Sequence, residues 1–311
     1  MKIQVITHDR VRKPIVFVGP SRLSYIFEKQ GNKVDFITKK DWLKFYFRYL
    51  RFNPEVVISS GVIGFIPALL RKIKLIKCPV VHAWDDIYSE VMGKKYGYGF
   101  IYFLEVFTIK NSDYITTVSK HLEKEARKLG KKVSYIPHGA DRSNKKAVKL
   151  RGRIKVLYVG EQTEYKKVDR IIKAVDGLNC DLYLIGQTNP EFKKIASKNV
   201  HFLGFKKQED VPGYVKAADI VVVTSNQDSA LKMFEYIRCG KCILAYDGRI
   251  RKILTHKKDA YLTRDFRKAL AELIKNKSLR SKLSKNVKKI RTYTWEEVAK
   301  SYLNVLSKVI G

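Results

Sequence analysis

The chain has 311 residues, a length typical of about two domains. Hydrophobic residues make up 45% of it and aromatic residues 12%, enough for two buried cores, which excludes a wholly disordered chain. Lys and Arg total 63 against 30 Asp and Glu, so the formal net charge is +33. Such a charge attracts anionic partners, and composition alone leaves open nucleic acid, an acidic membrane surface and a phosphorylated substrate.

Several features that the sequence lacks narrow the classes of protein and of partner that it could represent. No run of about 18 uncharged apolar residues is present, so a membrane-spanning helix is not expected. The N-terminus reaches His8 and Asp9 too early for the apolar core of a signal peptide, and the 4 cysteines are too few for a disulfide scaffold. We therefore expect a cytoplasmic protein. The basic residues are spread along the chain without a nucleic-acid-binding motif, so no specific nucleic-acid partner is expected.

In the first half of the chain, short β-branched runs alternate with amphipathic segments of helical length. The apolar runs are nearly continuous, which is typical of strands in a parallel sheet covered by helices on both faces. The predicted strands are 3–7, 56–59, 79–83, 114–118 and 133–136, and the predicted helices are 20–30, 62–73, 98–110 and 120–129.

The lysine-rich stretch 142–153 has no periodicity and is predicted to be a linker, after which the alternation restarts. Two such arrays predict an α/β chain of two doubly wound parallel-sheet domains, with ligands at the carboxyl ends of the strands and in the cleft between domains. The predicted strands are 154–159, 180–185, 200–203, 220–224 and 242–245, and the predicted helices are 166–176, 208–217, 231–239, 264–275, 278–290 and 294–308.

Motifs spread over nearly the whole chain are more specific than this periodicity. They are Ser112–Ser119, Tyr135–Asp141, Val156–Gly160, Lys166–Ala174, Ala218–Ser225, Lys232–Lys241 and Thr294–Ala299. In order and spacing they resemble the motifs of the family 4 (group 1) glycosyltransferases. The resemblance implies the GT-B fold, with an acceptor domain (1–145, on which 292–311 packs) and a donor domain (146–291).

The same resemblance implies the chemistry. It is a retaining transfer of a sugar from a nucleotide-diphosphate sugar to an acceptor, with no cofactor and no metal site. Helix N-termini and basic side chains would balance the charge of the leaving diphosphate.

The resemblance places a donor site in the second domain. Glu235 matches the family glutamate that binds the ribose hydroxyls, although a surface glutamate is the alternative. Lys166 matches the family lysine on the donor phosphates, and Lys232 is a second candidate on nearly the same helical face as Glu235. Ordinary solvated lysines are the alternative for both. The other expected donor residues are Gly160, Gln227, Ser229, Ala230 and His138.

Two positions depart from the family pattern. Glu161 follows Gly160 where the family has arginine, so either Glu161 faces away from the diphosphate or another cation takes over. Gln227 stands where the family often has a glutamate, and an amide binds a sugar hydroxyl without bringing charge. These departures keep an alternative function open: a catalytically weakened GT-B protein that binds anionic lipid or polysaccharide.

Candidate acceptor residues lie in the first domain. Gly19 and Ser21 occupy the place of the family's glycine-rich loop, where a helix start favours a phosphate or the acceptor; a plain helix start is the alternative. Asp85 stands where the family often has histidine, and it or Asp86 is the candidate catalytic group that accepts a hydroxyl proton. Capping of the next helix is the alternative for both. We expect His82 to be structural.

The segment 39–51, KKDWLKFYFRYLR, predicts an amphipathic helix with wide apolar coverage beside a basic stripe. This pattern is typical of a helix that lies in a membrane interface, although its Leu43, Phe47 and Leu50 face also suits packing on the sheet. We expect peripheral attachment to the anionic inner face of the cell membrane and a lipid-linked or other membrane-associated glycan acceptor. The expected membrane-facing residues are Trp42, Lys44, Tyr46, Arg48, Tyr49 and Arg51.

Overall fold

The structure, a computed structural model, describes residues 1–7 and 19–311. Residues 8–18 lie outside the described residues, and among them are Phe17 and Val18, which directly precede Gly19 in the segment that matches the family's glycine-rich loop. The described chain divides into two compact units. Unit 1 comprises Met1–Gly139 and Tyr293–Gly311, and unit 2 comprises Ala140–Thr292.

Unit 1 is built from alternating strands and helices. They are β1 (Lys2–Ile6), α1 (Pro20–Lys29), β2 (Lys33–Ile37), α2 (Phe45–Phe52), β3 (Val56–Ser60), α3 (Phe65–Lys72), β4 (Val80–Trp84), α4 (Tyr88–Tyr96), α5 (Tyr98–Asn111), β5 (Tyr114–Thr117), α6 (Lys120–Lys128) and β6 (Val133–Tyr135). The strands form one parallel sheet of order β2-β1-β3-β4-β5-β6. Strands β3 and β4 are buried over their whole length because helices cover both faces.

Unit 2 repeats the architecture. Its elements are β7 (Lys155–Val159), α7 (Asp169–Ala174), β8 (Asp181–Ile185), α8 (Pro190–Lys194), β9 (Val200–Gly204), α9 (Val211–Ala217), β10 (Ile220–Val223), α10 (Leu231–Arg238), β11 (Cys242–Tyr246), β12 (Tyr261–Thr263), α11 (Phe266–Lys275) and α12 (Lys277–Val287). Its parallel sheet has the order β12-β11-β10-β7-β8-β9. Because the strand succession reverses between β10 and β7, the loops after these two strands diverge, and ligands of doubly wound sheets bind at such a point.

The last helix, α13 (Trp295–Ile310), belongs to unit 1 although the whole of unit 2 precedes it. It begins with a capping box: the Thr294 hydroxyl accepts from the Glu297 amide, and the Glu297 carboxylate accepts from the Thr294 amide. Trp295 and Tyr302 on this helix are buried, so α13 supplies core side chains to unit 1.

The segment 39–51 folds as a 3₁₀ turn followed by α2, but it packs differently from the prediction. Phe45 and Tyr49 are buried in the core of unit 1, and the Tyr49 hydroxyl accepts a hydrogen bond from the Lys77 amide. Tyr46 packs against the same core. The expectation that Tyr49 faces a membrane is therefore wrong, because its ring is buried against the sheet, whereas Tyr46 is half-buried.

The opposite side of α2 is exposed. The alternative expectation, in which Leu43, Phe47 and Leu50 pack on the sheet, is also wrong, since Phe47 is 76% exposed and the two leucines are exposed as well. Arg48 forms an ion pair with Asp35. No helix within the described residues is long and apolar enough to cross a bilayer.

Candidate functional site

The turn after β10 brings together a lysine and a glutamine that are 61 residues apart. The Lys166 ammonium donates to the side-chain oxygen of Gln227 over 2.9 Å, and the Ser225 hydroxyl donates to the same oxygen over 3.1 Å. The Gln227 amide nitrogen donates to the Tyr165 hydroxyl over 3.2 Å. These bonds fix the buried Gln227 side chain. Because an amide carries no net charge, this contact does not cancel the charge of Lys166, which suits an anionic ligand.

Glu235, near the middle of α10, is held by two neighbours. The Lys232 ammonium lies 3.1 and 3.2 Å from its two carboxylate oxygens, and the Gln208 amide nitrogen donates to it over 2.7 Å. Lys232 also donates to the Gln208 oxygen over 2.9 Å, which closes a ring of three side chains. The charge of Lys232 is thus balanced by Glu235. Sequence analysis missed Gln208, which no motif marks because it lies in the loop after β9.

A further cation lies near Lys166. Arg170, at the start of α7, donates to the Thr224 carbonyl over 3.0 Å, and its guanidinium lies 4.1 Å over the Tyr246 ring. The Thr224 hydroxyl in turn donates to the backbone carbonyl of Lys166 over 2.5 Å, so Thr224 bonds to both residues. Glu161, which stands where the family pattern has arginine, is exposed. Arg170 is therefore a second candidate for the missing positive charge, and sequence analysis missed it.

The loops after β7 and β8 approach each other closely. A Cβ on Gly186 would lie 2.0 Å from the Gly160 carbonyl oxygen, and Gly186 has a φ of 142°, so the contact requires glycine. Beside it, Gln162 is 4% exposed and accepts a hydrogen bond from the Asn189 amide over 3.3 Å. The Gln162 amide nitrogen has no hydrogen-bond partner within the described residues. Since buried donors are nearly always paired, Gln162 is a further candidate for ligand contact.

The turn that leads into α10 contains Ser229 and Ala230, both half-buried. The first amides of a helix have no partner within it, and they carry the positive end of the helix dipole. This turn begins directly after the Gln227 contact and ends in the helix that carries Glu235. The structure thus gathers most of the predicted donor residues into one loop and helix, with Lys166 brought to it from the chain after β7.

In unit 1 the structure brings Gly19 close to Asp85. Gly19 precedes α1 with a φ of 71°, and a Cβ built on it lies 3.3 Å from Oδ2 of Asp85. Ser21 is buried in the first turn of α1. Asp85 and Asp86 are half-buried after β4; burial raises the pKa of Tyr88, and the two aspartate charges raise it further. The predicted acceptor residues therefore lie in two chain segments, and Gly19 in one of them approaches Asp85 in the other.

Glu105 on α5 holds the loop that follows β4. One of its carboxylate oxygens accepts from the Trp84 indole over 2.8 Å and the Tyr88 amide over 2.9 Å. The other accepts from the Ser89 amide over 3.3 Å and hydroxyl over 3.0 Å. Burial raises the pKa of Glu105, whereas these donors lower it. Because Asp85 and Asp86 lie between the bonded residues, Glu105 restricts where their backbone can go.

Two histidines singled out in the sequence lie in unit 1. His82 is buried, its Nδ1 lies 3.0 Å from the Ser59 hydroxyl, and burial lowers its pKa to about 3. It is therefore neutral at physiological pH, in keeping with a structural role. His138 is buried with its ring centroid 6.2 Å from that of Trp295, and its expected place near the donor stays a prediction.

The chain is similar in sequence to known glycosyltransferases. Residues 140–290 match the family model of the glycosyl transferases group 1. The uncharacterized glycosyltransferase MJ1069 of Methanocaldococcus jannaschii is 25% identical over 313 residues, which cover 88% of this chain and 79% of that protein. The uncharacterized glycosyltransferase MJ1178 of the same organism is 25% identical over 254 residues, which cover 75% of this chain and 69% of that protein.

Solved structures share the fold. HepE of Anabaena, in complex with UDP and glucose, has a TM-score of 0.77 at 15% identity and covers 99% of this chain and 100% of its own. MnaA of S. aureus, in a co-structure with UDP, has a TM-score of 0.65 at 14% identity and covers 99% of this chain and 96% of its own. The two units therefore form a GT-B fold. Residues 140–290 are thus similar to the group 1 glycosyltransferases, as the motifs in that part of the chain predicted.

Proposed function

We propose that this glycosyltransferase moves a sugar from a nucleoside-diphosphate sugar to a lipid-linked, membrane-associated glycan, with retention at the anomeric carbon. The observation that carries the proposal is the meeting of Lys166 with Gln227 beside the α10 helix of Glu235, in the part of the chain that the family model matches. HepE and MnaA are described with UDP, so uridine diphosphate is the first nucleotide to test.

The predicted donor residues bind different parts of the nucleotide sugar. Lys166 and Arg170, with the first amides of α10, balance the charge that develops on the leaving diphosphate. The chain's own cations do this without a metal. Glu235 offers acceptors to the ribose hydroxyls, since a carboxylate has about four lone-pair sites and two neighbours occupy only part of them. Gln227 donates to or accepts from a hydroxyl of the sugar.

The acceptor hydroxyl binds in unit 1 beside Gly19 and Asp85. A glycine leaves space 3.3 Å from the Asp85 carboxylate, which any side chain would narrow. In this position Asp85 accepts the proton that the hydroxyl loses as the glycosidic bond forms. The net charge of +33 supports a membrane-bound acceptor at the cytoplasmic face of an anionic membrane. Retention is supported by the family resemblance.

A donor screen tests the proposal. The purified chain is incubated with UDP-, GDP- and ADP-sugars and a membrane lipid extract, and products are detected by mass spectrometry, with the anomeric configuration read by NMR. We expect one nucleotide sugar to be consumed and a glycolipid with the donor's anomeric configuration to form. Asp85→Asn should lower transfer by about 100-fold. A product of inverted configuration, or full transfer by Asp85→Asn, would contradict the proposal.

The second candidate is a protein that keeps the fold and binds anionic lipid or polysaccharide with weakened catalysis. Gln227 in place of a family glutamate and Glu161 in place of an arginine favour it. The same screen separates the two functions. Vesicle or polysaccharide binding with at most marginal turnover of every donor would support the second candidate, and efficient donor turnover would exclude it.

A further inference from the structure

The hairpin of α4 and α5 exposes aromatic side chains to an unusual degree. Five aromatic residues within eight positions are each at least half exposed: Tyr96, Tyr98, Phe100, Tyr102 and Phe103. In unit 2, the exposed large apolar side chains are Ile195 and Phe205. Scattered apolar side chains are ordinary on a protein surface, whereas a contiguous group marks an interaction site. We call residues 94–103 the aromatic tip.

The aromatic tip extends past the carboxyl edge of the sheet in unit 1. Trp84 is the last residue of β4 and therefore marks the carboxyl edge of the sheet. Its indole N–H donates to Glu105, so this edge lies beside Glu105 on α5. Tyr98 lies seven residues before Glu105, which is about 10 Å further along the helix axis. The hairpin is closed tightly, since a Cβ on Gly93 would lie 3.0 Å from Cα of Tyr98. The aromatic tip is therefore held by the close packing of α4 against α5 and is not an isolated loop.

Basic side chains accompany the exposed rings. Lys94 and Lys95 stand at the end of α4, and the Lys95 ammonium lies 5.0 Å over the Tyr96 ring. The rings of Tyr98 and Tyr102 stack with their centroids 6.1 Å apart. Amphipathic aromatic rings beside ammonium groups are typical of surfaces that sit at the headgroup level of a bilayer.

We propose that the aromatic tip inserts into the interface of an anionic phospholipid bilayer. Charge complementarity favours this partner, because a chain with a net charge of +33 repels a second copy of itself and is attracted to an acidic surface. The Glu105 hydrogen bonds connect the tip to the loop of Asp85 and Asp86. Docking therefore holds that loop at the membrane surface. The loop's catalytic part rests on the proposed function, whereas insertion of the tip does not.

Depth-dependent quenching tests the insertion. Phe100→Trp places a reporter on the tip, and Phe205→Trp places a matched reporter on an exposed phenylalanine of unit 2. With vesicles of phosphatidylglycerol and phosphatidylcholine that carry brominated acyl chains, we expect about half of the added Phe100→Trp emission to be quenched. The added Phe205→Trp emission should be unaffected. Equal quenching of both reporters, or no quenching of the first, would overturn the proposal.

Vesicle flotation gives a second test that does not depend on the reporters. The triple variant Tyr98→Ser, Phe100→Ser, Phe103→Ser keeps every charge and should lower the partition into the same vesicles by about tenfold or more in 0.15 M salt. Leu43→Ser in the 3₁₀ turn before α2, combined with Leu50→Ser on α2, is the matched control and should lower it less than about twofold. A larger loss in the α2 variant, or a dimer in sedimentation that the triple variant abolishes, would contradict insertion of the tip.

UDP affinity separates this proposal from the proposed function. The triple variant should bind UDP as the wild-type chain does, because the tip lies in unit 1 and the predicted donor residues on α10 and around Lys166 lie in unit 2. Failure of the wild-type chain to bind any nucleotide, with vesicle binding intact, would contradict the proposed function and leave the tip's insertion supported.

Discussion

Lys166 faces a neutral partner, the amide oxygen of Gln227 at 2.9 Å, whereas Lys232 faces the carboxylate of Glu235 at 3.1 Å. The two lysines are therefore not equivalent, although the sequence offers both as diphosphate ligands. The charge of Lys232 is balanced by its partner. The contact with Gln227 does not neutralise the charge of Lys166, so this ammonium can still bind an anion. A charge-assisted bond to a phosphate oxygen is stronger than a bond to an amide oxygen.

Replacing Lys166 by methionine should weaken UDP binding by about 10- to 100-fold, the loss expected when one charge-assisted hydrogen bond is removed. Isothermal titration in 0.15 M salt measures it. Lys167→Met is the matched control, because Lys167 is the exposed neighbour and its loss lowers the net charge equally. Equal weakening by both variants would mean that general basicity, and not the Lys166 position, binds the nucleotide.

Gly186→Ala should destabilise unit 2 by about 2–3 kcal/mol, because the new Cβ meets the Gly160 carbonyl oxygen at 2.0 Å and forces apart the loops after β7 and β8. Urea unfolding measures the loss. Gly204→Ala is the control: its φ of 67° is also unfavourable for alanine, but no atom lies within 4 Å of the added Cβ. A loss at Gly186 no larger than the loss at Gly204 would contradict the close approach of the loops.

Removing the Glu105 carboxylate should lower the free energy of unfolding of unit 1. Glu105→Ala leaves the Trp84 indole and the Tyr88 and Ser89 amides without their acceptor, which costs roughly 3 kcal/mol of unfolding free energy. Glu125→Ala, which removes a surface ion pair with Lys128, should cost less than about 1 kcal/mol. Similar losses in urea unfolding would show that Glu105 does not anchor the loop.

The buried His82 should make unit 1 sensitive to acid. Its pKa is about 3 when folded and 6.5 in an unperturbed histidine, so between these values the unfolded chain takes up a proton that the folded chain does not. The unfolding free energy therefore falls as the pH falls through this window, by up to about 1.4 kcal/mol per pH unit.

His82→Gln removes this contribution. The variant should have a flatter dependence of the urea midpoint on pH between about 6.5 and 4 than the wild-type chain. His201→Gln, in unit 2, should keep the wild-type slope for unit 1. An unchanged slope in His82→Gln would contradict a neutral, buried imidazole.

The sequence predicted the interior of both sheets and missed some of the edges. Strands β3 and β10 are apolar runs buried on both faces, which leave a clear signal. Strands β2 and β12 lie at sheet edges. The first begins with a lysine and contains an aspartate, and the second has three residues, so neither shows the apolar run that marks a central strand.

Helix faces were harder to predict than the helices themselves. Two faces of α2 are apolar, so the periodicity of its sequence does not indicate which face packs against the sheet. The sheet and the side chains around Ile76 decide that Phe45 and Tyr49 turn inward. Helix α5 is apolar on nearly every side, so its exposed aromatic half could not be separated from its buried half by sequence.

The donor cluster was predictable only where motifs mark it. Lys166, Gln227 and Glu235 stand at motif positions, and the structure brings the first two together. Gln208 was missed because it lies outside every motif. Arg170 lies within the motif Lys166–Ala174, but nothing in that motif singles it out, and tertiary packing brings both residues to their partners.

Titration of UDP into the wild-type chain, Glu235→Ala and Glu28→Ala tests whether unit 2 holds a nucleoside diphosphate through the residues around α10. We expect one UDP to bind per wild-type chain. The affinity should be about tenfold or more weaker in Glu235→Ala, because hydrogen bonds to the ribose are lost. It should be unchanged in Glu28→Ala, which removes an exposed carboxylate from unit 1. Wild-type affinity in Glu235→Ala, or no binding of any nucleoside diphosphate, would contradict nucleotide binding at these residues.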